Sequence, residues 1–431
     1  MNDVRECYVY IQLPDSLEVV TCGRFRHSQT RSGEGVGGFT YGRRYLARPD
    51  ALPLDPYNLP LRVGWEETAR LGGVFGAIRD AAPDAWGNRV IERALGQVDL
   101  TILDYLLHSP EDRAGALSFG YGKVPPPPVR PFNRILQLPE LLEAAAALEA
   151  MEAGQSISSQ SEAQLANLLN LTSVGIGGAR PKNVVEDDEG LWVAKFPAQS
   201  DRWSNASVEA AMLSLASHCG IHVPPIRIET VGTKKVLFVK RFDRALVAEP
   251  KDNEKRYFRS RMVSALTVLN AEDTAASAGD WSYVLLADEL QRWSERSRED
   301  KRELFRRMVF NALVSNLDDH PRNHALIAPN KNFRLSPAYD ITPSRTQSLE
   351  QRDLAMICGV RGRAATRANL TSQVQRFALT PEEANAIIDD MKATVGGEWE
   401  NELRRQGGSE TDAAAIHHAF NYPGFEYDAP D

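Results

Sequence analysis

The chain has 431 residues, 42% of them hydrophobic and 25% charged. At roughly 100–200 residues per domain that suggests two or three domains, and the composition excludes a mostly disordered or fibrous chain. Its 50 Lys and Arg against 58 Asp and Glu give a net charge of -8, which excludes coating of nucleic acid by bulk charge and leaves only a local basic patch for that purpose.

In chain order, the opening MNDVREC carries Asp3 and Glu6 and has no apolar signal core. No later window holds the ~18 apolar residues a membrane helix needs, so a soluble, cytoplasmic protein without membrane contact is expected. The first segment, 1–124, begins with β-rich runs at 7–12 and 38–41, and the Gly- and Ser-rich stretch 31–38 reads as turns. From about 83 the pattern turns helical, with Pro83 at the start and Trp86, Val90, Ile91 and Leu95 at helical spacing. Pro125 to Pro128 favour an extended linker over 125–138, and 139–153 reads as a helix opened by Pro139.

The segment 139–245 holds the most informative run. Past the polar stretch 155–164, SVGIGGARPKNVV, EDDEG and LWVAKF predict a β-hairpin: apolar run, turn, apolar run. Residues 207–219 predict an amphipathic helix with Ser207 as its cap, and 236–242 another strand. Cys219 closes that helix as a packed thiol. Cys7, Cys22 and Cys358 lie far from it with no C-x-x-C pair, so a reducing compartment is expected and neither a disulfide framework nor structural zinc is. The segment 246–405 is read as a helical lobe, mainly helical from 299 and interrupted by a hairpin at 325–335. The tail, 406–431, lacks Lys and Arg, carries Glu410, Asp412, Glu426, Asp428 and Asp431, and is expected to be loosely held.

Chemistry concentrates in three places. In the run from Val174 to Lys182, three glycines in four positions let backbone N–H groups close on phosphate oxygens, and Arg180 and Lys182 add positive charge. Pro181 stands where a Walker A sequence needs Gly. Lys195 ends an apolar strand 13 residues after Lys182, where a kinase holds an ATP phosphate; an edge lysine kept against aggregation is the plainer reading. Glu209, on the following helix, is either the carboxylate that pairs with such a lysine or an acid compensating the helix dipole.

The strongest constellation is Asn316 to His324, NLDDHPRNH. A buried helix marked by Leu304, Phe305, Met308, Val309, Ala312 and Leu313 leads into it, and a short hairpin returns the chain, so that Asp340 is expected beside Asn323. Asp318, Asn323 and Asp340 would then share one mouth: a carboxylate to take a hydroxyl proton, and two hard oxygen ligands for Mg²⁺. Asp318 is preferred over Asp319 because adjacent loop residues face different ways. His320 and His324 have a chelating i, i+4 spacing, but Pro321 opposes a helix there and no third soft ligand is close.

These motifs resemble the HipA family of serine/threonine protein kinases. GGARPK (177–182), AKFP (194–197), VKRFDR (239–244), DDHPRNH (318–324) and LSPAYDITPS (335–344) carry the resemblance in that order. DAWGNRVIERAL (84–95) and RAGALSFG (113–120) resemble the family's N-terminal subdomain, and 359–384 its C-terminal helical part. The resemblance implies a two-lobed, protein-kinase-like α/β fold with a β-rich N-terminal subdomain and a helical C-terminal lobe. It implies that Gly177, Gly178, Ala179, Arg180, Pro181 and Lys182 form the phosphate loop and that Lys195 anchors ATP. Lys240, Arg241 and Phe242 become the hinge at the adenine. Asp318 becomes the catalytic base, with His320, Arg322 and Asn323 completing its loop, Tyr339 at the nucleotide and Asp340 on magnesium.

The same resemblance implies a toxin paired with a small helix-turn-helix, HipB-like antitoxin, through which alone it would meet DNA. Characterised members modify aminoacyl-tRNA synthetases and arrest translation. The family's self-phosphorylated serine would fall at Gly175, so Ser173, two residues earlier, is the nearest hydroxyl. Two alternatives stand beside this reading: a small-molecule kinase, and a non-catalytic nucleotide-binding partner of a repressor. The full set of Lys195, Asp318, Asn323 and Asp340 opposes the second. A candidate basic cluster, Arg361, Arg363 and Arg367, reads as a solvated face.

Overall fold

The computed structural model describes residues 5–109, 112–126, 132–155, 180–248, 255–345 and 348–427. They divide into two compact units, each gathered from separated stretches rather than from the contiguous segments read in the sequence. One draws on 1–199, 240–263 and 327–331, the other on 200–239, 264–326 and 332–431.

In the first unit, β1 (Arg5–Gln12), β2 (Val19–Gln29), β3 (Gly35–Tyr41), β4 (Glu66–Thr68) and β5 (Leu117–Gly120) form a sheet in the order β4-β3-β2-β1-β5. Val9, Ile11, Phe25, Phe39 and Tyr41 are buried on it, and Tyr41 stacks on Tyr45. The stretch 31–38, expected as turns, enters β3 at Gly35. A Cβ on Gly35 would fall 1.9 Å from the Gly72 carbonyl oxygen, and one on Gly37 1.8 Å from that of Gly73. Glycine here marks a close approach of two backbones rather than a turn.

The helix Ala85–Leu95 is capped by Asp84, whose carboxylate accepts the Gly87 N–H at 2.7 Å. The helix Leu138–Glu152 follows the short strand β6 (Asn133–Arg134), which runs parallel to β7 (Lys182–Asp187). β7 pairs antiparallel with β8 (Gly190–Lys195), and Asp187 turns this hairpin by accepting from the N–H groups of Glu189 and Gly190.

The second unit is mainly helical. The helix Asn205–His218 packs on the long helix Pro381–Arg405, and Tyr283–Trp293 on Ser297–Leu313. Leu304, Phe305, Met308, Val309, Ala312 and Leu313 are all buried, and Phe305 meets Phe377 with ring centres 5.5 Å apart. Among the described residues, 336–366 is irregular rather than helical. The cap of Asn205–His218 is Ser204, not Ser207: the Ser204 hydroxyl accepts the Ser207 N–H, and Ser207 is buried one turn inside.

The tail is also corrected. It is tied down: the Ser204 N–H donates to Asp412 at 2.8 Å, and the Asn421 N–H to the Leu313 carbonyl at 2.9 Å. Tyr422 and Phe425 are buried, and Glu426 meets Arg367 and Lys392. Asp412 and Glu426 find a donor and cations supplied by distant sequence, which the composition of the tail alone does not reveal. No helix among the described residues is long and apolar enough to cross a membrane. All four cysteines are buried and unpaired, and burial pushes the Cys219 thiol up to about 12, as fits a packed side chain rather than a nucleophile.

Candidate functional site

Gly177, Gly178 and Ala179 of the expected phosphate loop, and Ser173 before it, lie outside the described residues. From Arg180 onward the chain is placed. The Pro181 carbonyl accepts the Phe196 N–H at 2.9 Å, and the register of β7 on β8 sets Lys182 directly opposite Lys195. Like charges facing each other across strands repel. Lys182 is buried in a 2.6 Å ion pair with Asp84, which takes up its charge. Asp84 thus uses one oxygen to cap a helix and the other to hold Lys182. Its only signal in the sequence is its place at the head of DAWGNRVIERAL.

The segment 240–244 belongs to the same unit. The Lys240 ammonium sits 4.5 Å from the centre of the Trp192 ring. The Arg241 N–H donates to the Leu191 carbonyl at 2.9 Å. The Arg241 guanidinium is buried; it bonds both Asp243 oxygens, at 3.0 and 2.8 Å, and the carbonyls of Asp112 and Arg113. Arg244 bonds Asp243 at 2.7 Å and the carbonyls of Gly115 and Arg113, while Asp243 accepts the Gly115 N–H at 2.9 Å. Burial alone would raise the Asp243 pKa, but the Arg241 and Arg244 charges override it and hold the carboxyl below its ordinary range. Arg241 was expected at the adenine. Its guanidinium is committed to this cluster, which leaves the main chain and the half-buried Lys240 and Phe242 side chains at this segment.

The second unit holds the acidic loop. The helix Ser297–Leu313 stops as Ser315 turns left-handed at φ 54°, and the Asn316 N–H returns to the Asn311 carbonyl at 2.8 Å. The next two acids then part company. Asp318 is exposed, whereas Asp319 is 2% exposed. Asp319 Oδ2 accepts from Asn311 Nδ2 at 2.7 Å, from His324 Nε2 at 2.7 Å and from the Tyr283 hydroxyl. Burial, then the Asp319 charge, raise the Tyr283 pKa, so its hydroxyl stays protonated as a donor. His324 Nε2 is therefore engaged with a carboxylate and His320 lies edge-on to Trp281; among the described residues neither joins a cluster of three metal-ligating side chains.

Asn323 is 8% exposed, and its Nδ2 donates to the Asp318 carbonyl at 3.4 Å, turning Oδ1 the other way. Four bonds lay 335–344 along this loop. The Ser336 N–H reaches the Ala325 carbonyl at 2.8 Å, and the Tyr339 hydroxyl the Arg322 carbonyl at 2.7 Å. The Ser344 N–H reaches the Ser315 carbonyl at 2.8 Å, and the Leu317 N–H the Ser344 hydroxyl at 3.1 Å. Asp340, half-buried beside Tyr339, has φ 60°, a conformation that costs a residue with a side chain about 1 kcal/mol. Arg322 pairs with Asp273. Glu209 is 5% exposed and lies beyond the first turn of its helix, so dipole compensation at a solvated helix start does not describe it.

Chemically, the loop offers one solvated carboxylate and one amide oxygen, and the segment laid along it one carboxylate on a strained turn, all hard oxygen donors. Tyr283 and Asn311 were not singled out in the sequence. Both lie on helices outside the motif, and only a buried acceptor gives them meaning.

Residues 174–399 match the model of the HipA-like C-terminal domain. Y4mE of Sinorhizobium fredii, a protein named as a kinase, is 27% identical over 149 residues, 35% of this chain and 33% of its own. Y4dM of the same organism, similarly named, is 26% identical over 232 residues, 49% of this chain and 51% of its own. The chain thus spans between a third and a half of the length of these curated relatives. A solved structure of the Shewanella oneidensis toxin–antitoxin system HipA, HipB and operator DNA superposes with a TM-score of 0.66 at 16% identity, covering 96% of this chain and 94% of that one, a likeness of fold. Since the matched domain takes in more than half of the sequence and the whole acidic loop, the chain belongs to the family with a HipA-like C-terminal domain.

Proposed function

We propose that this protein is a serine/threonine protein kinase that transfers the γ-phosphoryl group of ATP, with Mg²⁺, to a protein hydroxyl. The observation that carries the reading is the division between adjacent acids: Asp319 is buried under three donors, and Asp318 is left solvated on a loop held in place. A base that takes a substrate proton needs access and a fixed position, and Asp318 has both. Lys195 anchors the phosphates in this reading, with 177–182 as the phosphate loop and 240–242 as the hinge.

The donor set fits magnesium. Asn323 spends its Nδ2 on a carbonyl, which leaves Oδ1 as a ligand, and Asp340 adds an anionic oxygen. The metal would neutralise charge on the transferring phosphoryl group. Asp318 accepts the hydroxyl proton as the oxygen attacks the γ-phosphorus, and ADP leaves.

We further infer the role of a toxin restrained by a small helix-turn-helix antitoxin, acting on a component of translation such as an aminoacyl-tRNA synthetase. Support comes from the family and from the solved relative, which holds HipB and operator DNA. DNA would be met only through that partner. The net charge is -8, and Arg367, one of three clustered arginines, is already paired with Glu426 and Asp389. Gel shifts at physiological salt should show sequence-specific binding with the partner present and none with this chain alone.

Radiolabelled ATP in a cell lysate tests the reaction. A labelled protein band is expected. Label confined to small molecules would identify a small-molecule kinase, and no label at all would leave a nucleotide-binding module.

A further inference from the structure

The loop 316–324 is tied at Asn316 and Asp319 to two side chains that stand outside the motif, and its end folds back on Asp319. At its start, Asn316 Nδ2 donates to Asn311 Oδ1 at 3.0 Å. In its middle, Asp319 Oδ2 takes Asn311 Nδ2 at 2.7 Å and the Tyr283 hydroxyl. At its end, His324 Nε2 closes on the same oxygen at 2.7 Å, and the His324 carbonyl accepts the Ala265 N–H at 2.8 Å. Asn311 Nδ2 also lies 3.2 Å from the Tyr283 hydroxyl, so the two anchors brace each other. Asp319, Asn311, Tyr283 and His324 are each at most 3% exposed. A carboxylate is rarely buried without a countercharge of Lys or Arg, yet among the described residues Asp319 bonds a hydroxyl, an amide and an imidazole.

We propose that Asp319 is the positioning residue of the reaction. As a shared acceptor it holds the middle and end of the loop against Tyr283 and Asn311, the latter also taking the loop's start, and so fixes where Asp318 points. The inference rests on the reading of Asp318 as base. It assigns Asp319 no contact with ATP or substrate, so its loss falls on turnover and not on nucleotide affinity.

Substitution separates this from simple stability. Asp319→Ala removes the acceptor, and Asp319→Asn keeps one acceptor oxygen without the charge that strengthens such bonds about twofold. Tyr283→Phe removes one donor of the three. In the full chain, kcat is expected to fall roughly 100-fold for Ala, about tenfold for Asn and about threefold for Phe, with KM for ATP held within about twofold. Tyr283→Phe should cost almost nothing more in the Asp319→Asn background, because the bond it removes is already weakened. Should Asp319→Ala fail to fold, the Asn and Phe variants carry the test. A kcat for Asp319→Asn and Tyr283→Phe within twofold of wild type, or a loss seen in KM alone, overturns the proposal.

Hydrogen exchange over 316–324 gives a second reading that needs no activity. Faster exchange confined to that loop in Asp319→Asn supports the anchor, and unchanged exchange there sinks it. If the loop loosens in the variant while the wild type transfers no phosphate, the anchor stands and the kinase reading fails.

Discussion

The segments 240–244 and 316–324 carry similar inventories of acids and bases and use them in opposite ways. In 240–244 the charges of Arg241, Asp243 and Arg244 are buried: Asp243 lies between two guanidiniums that also reach carbonyls of 112–115. In 316–324 one acid is buried under a hydroxyl, an amide and an imidazole, and its neighbour is left in solvent. The first arrangement holds two stretches of chain together and leaves no charge for chemistry. The second spends one acid on holding and keeps the other available. An acidic residue in a motif is therefore not one kind of evidence; what faces it decides whether it fastens or reacts.

Breaking the available acid should have the largest effect. Asp318→Ala is expected to lower kcat by about 10³-fold, within the range for removing a general base, while leaving the melting temperature close to wild type. Steady-state kinetics beside thermal unfolding would measure both, and near-normal turnover would return the role to another group.

The buried acid of the other segment should act on stability instead. Asp243→Asn leaves two buried guanidiniums without their carboxylate and is expected to cost about 3 kcal/mol or more in denaturant unfolding. The folded-state pKa of Asp243 lies below its ordinary value. Its stabilisation is therefore fully present above the ordinary carboxylate range, about pH 4, and is lost only as pH falls through the folded value. The gap between wild type and Asp243→Asn should stay constant from neutral pH to about pH 5 and narrow only in stronger acid.

A smaller effect should separate metal from structure within the acidic loop's own neighbourhood. Asp340→Asn is expected to weaken nucleotide binding roughly tenfold with Mg²⁺ present and much less in EDTA, by calorimetry. Equal losses in both would assign Asp340 to its turn. The smallest effect belongs to the surface: Arg367→Ala should cost at most about 1 kcal/mol, and less in high salt, because its pairs with Glu426 and Asp389 are partly solvated.

Much of this protein is written locally. Residue periodicity alone specifies the buried helix before the acidic loop, since six apolar residues at helical spacing leave it one way to pack. The hairpin of β7 and β8 is equally plain, with two apolar runs around an Asp-rich turn. Asp318, Asn323 and Asp340 stand out as types and spacings because the residue types that could serve the proposed base and magnesium ligands are a short list. Tertiary structure decided the rest, and in each case the reason is a partner distant in sequence. Ser204 rather than Ser207 caps its helix because of where the chain enters. Gly35 and Gly37 lie in a strand because residues 72 and 73 cross them. The acidic tail is fastened because Ser204, Leu313, Arg367 and Lys392 meet it. Asp318 and Asp319 are the same residue type one position apart, and only the donors on Tyr283, Asn311 and His324, brought in by folding, make one the anchor and leave the other in water.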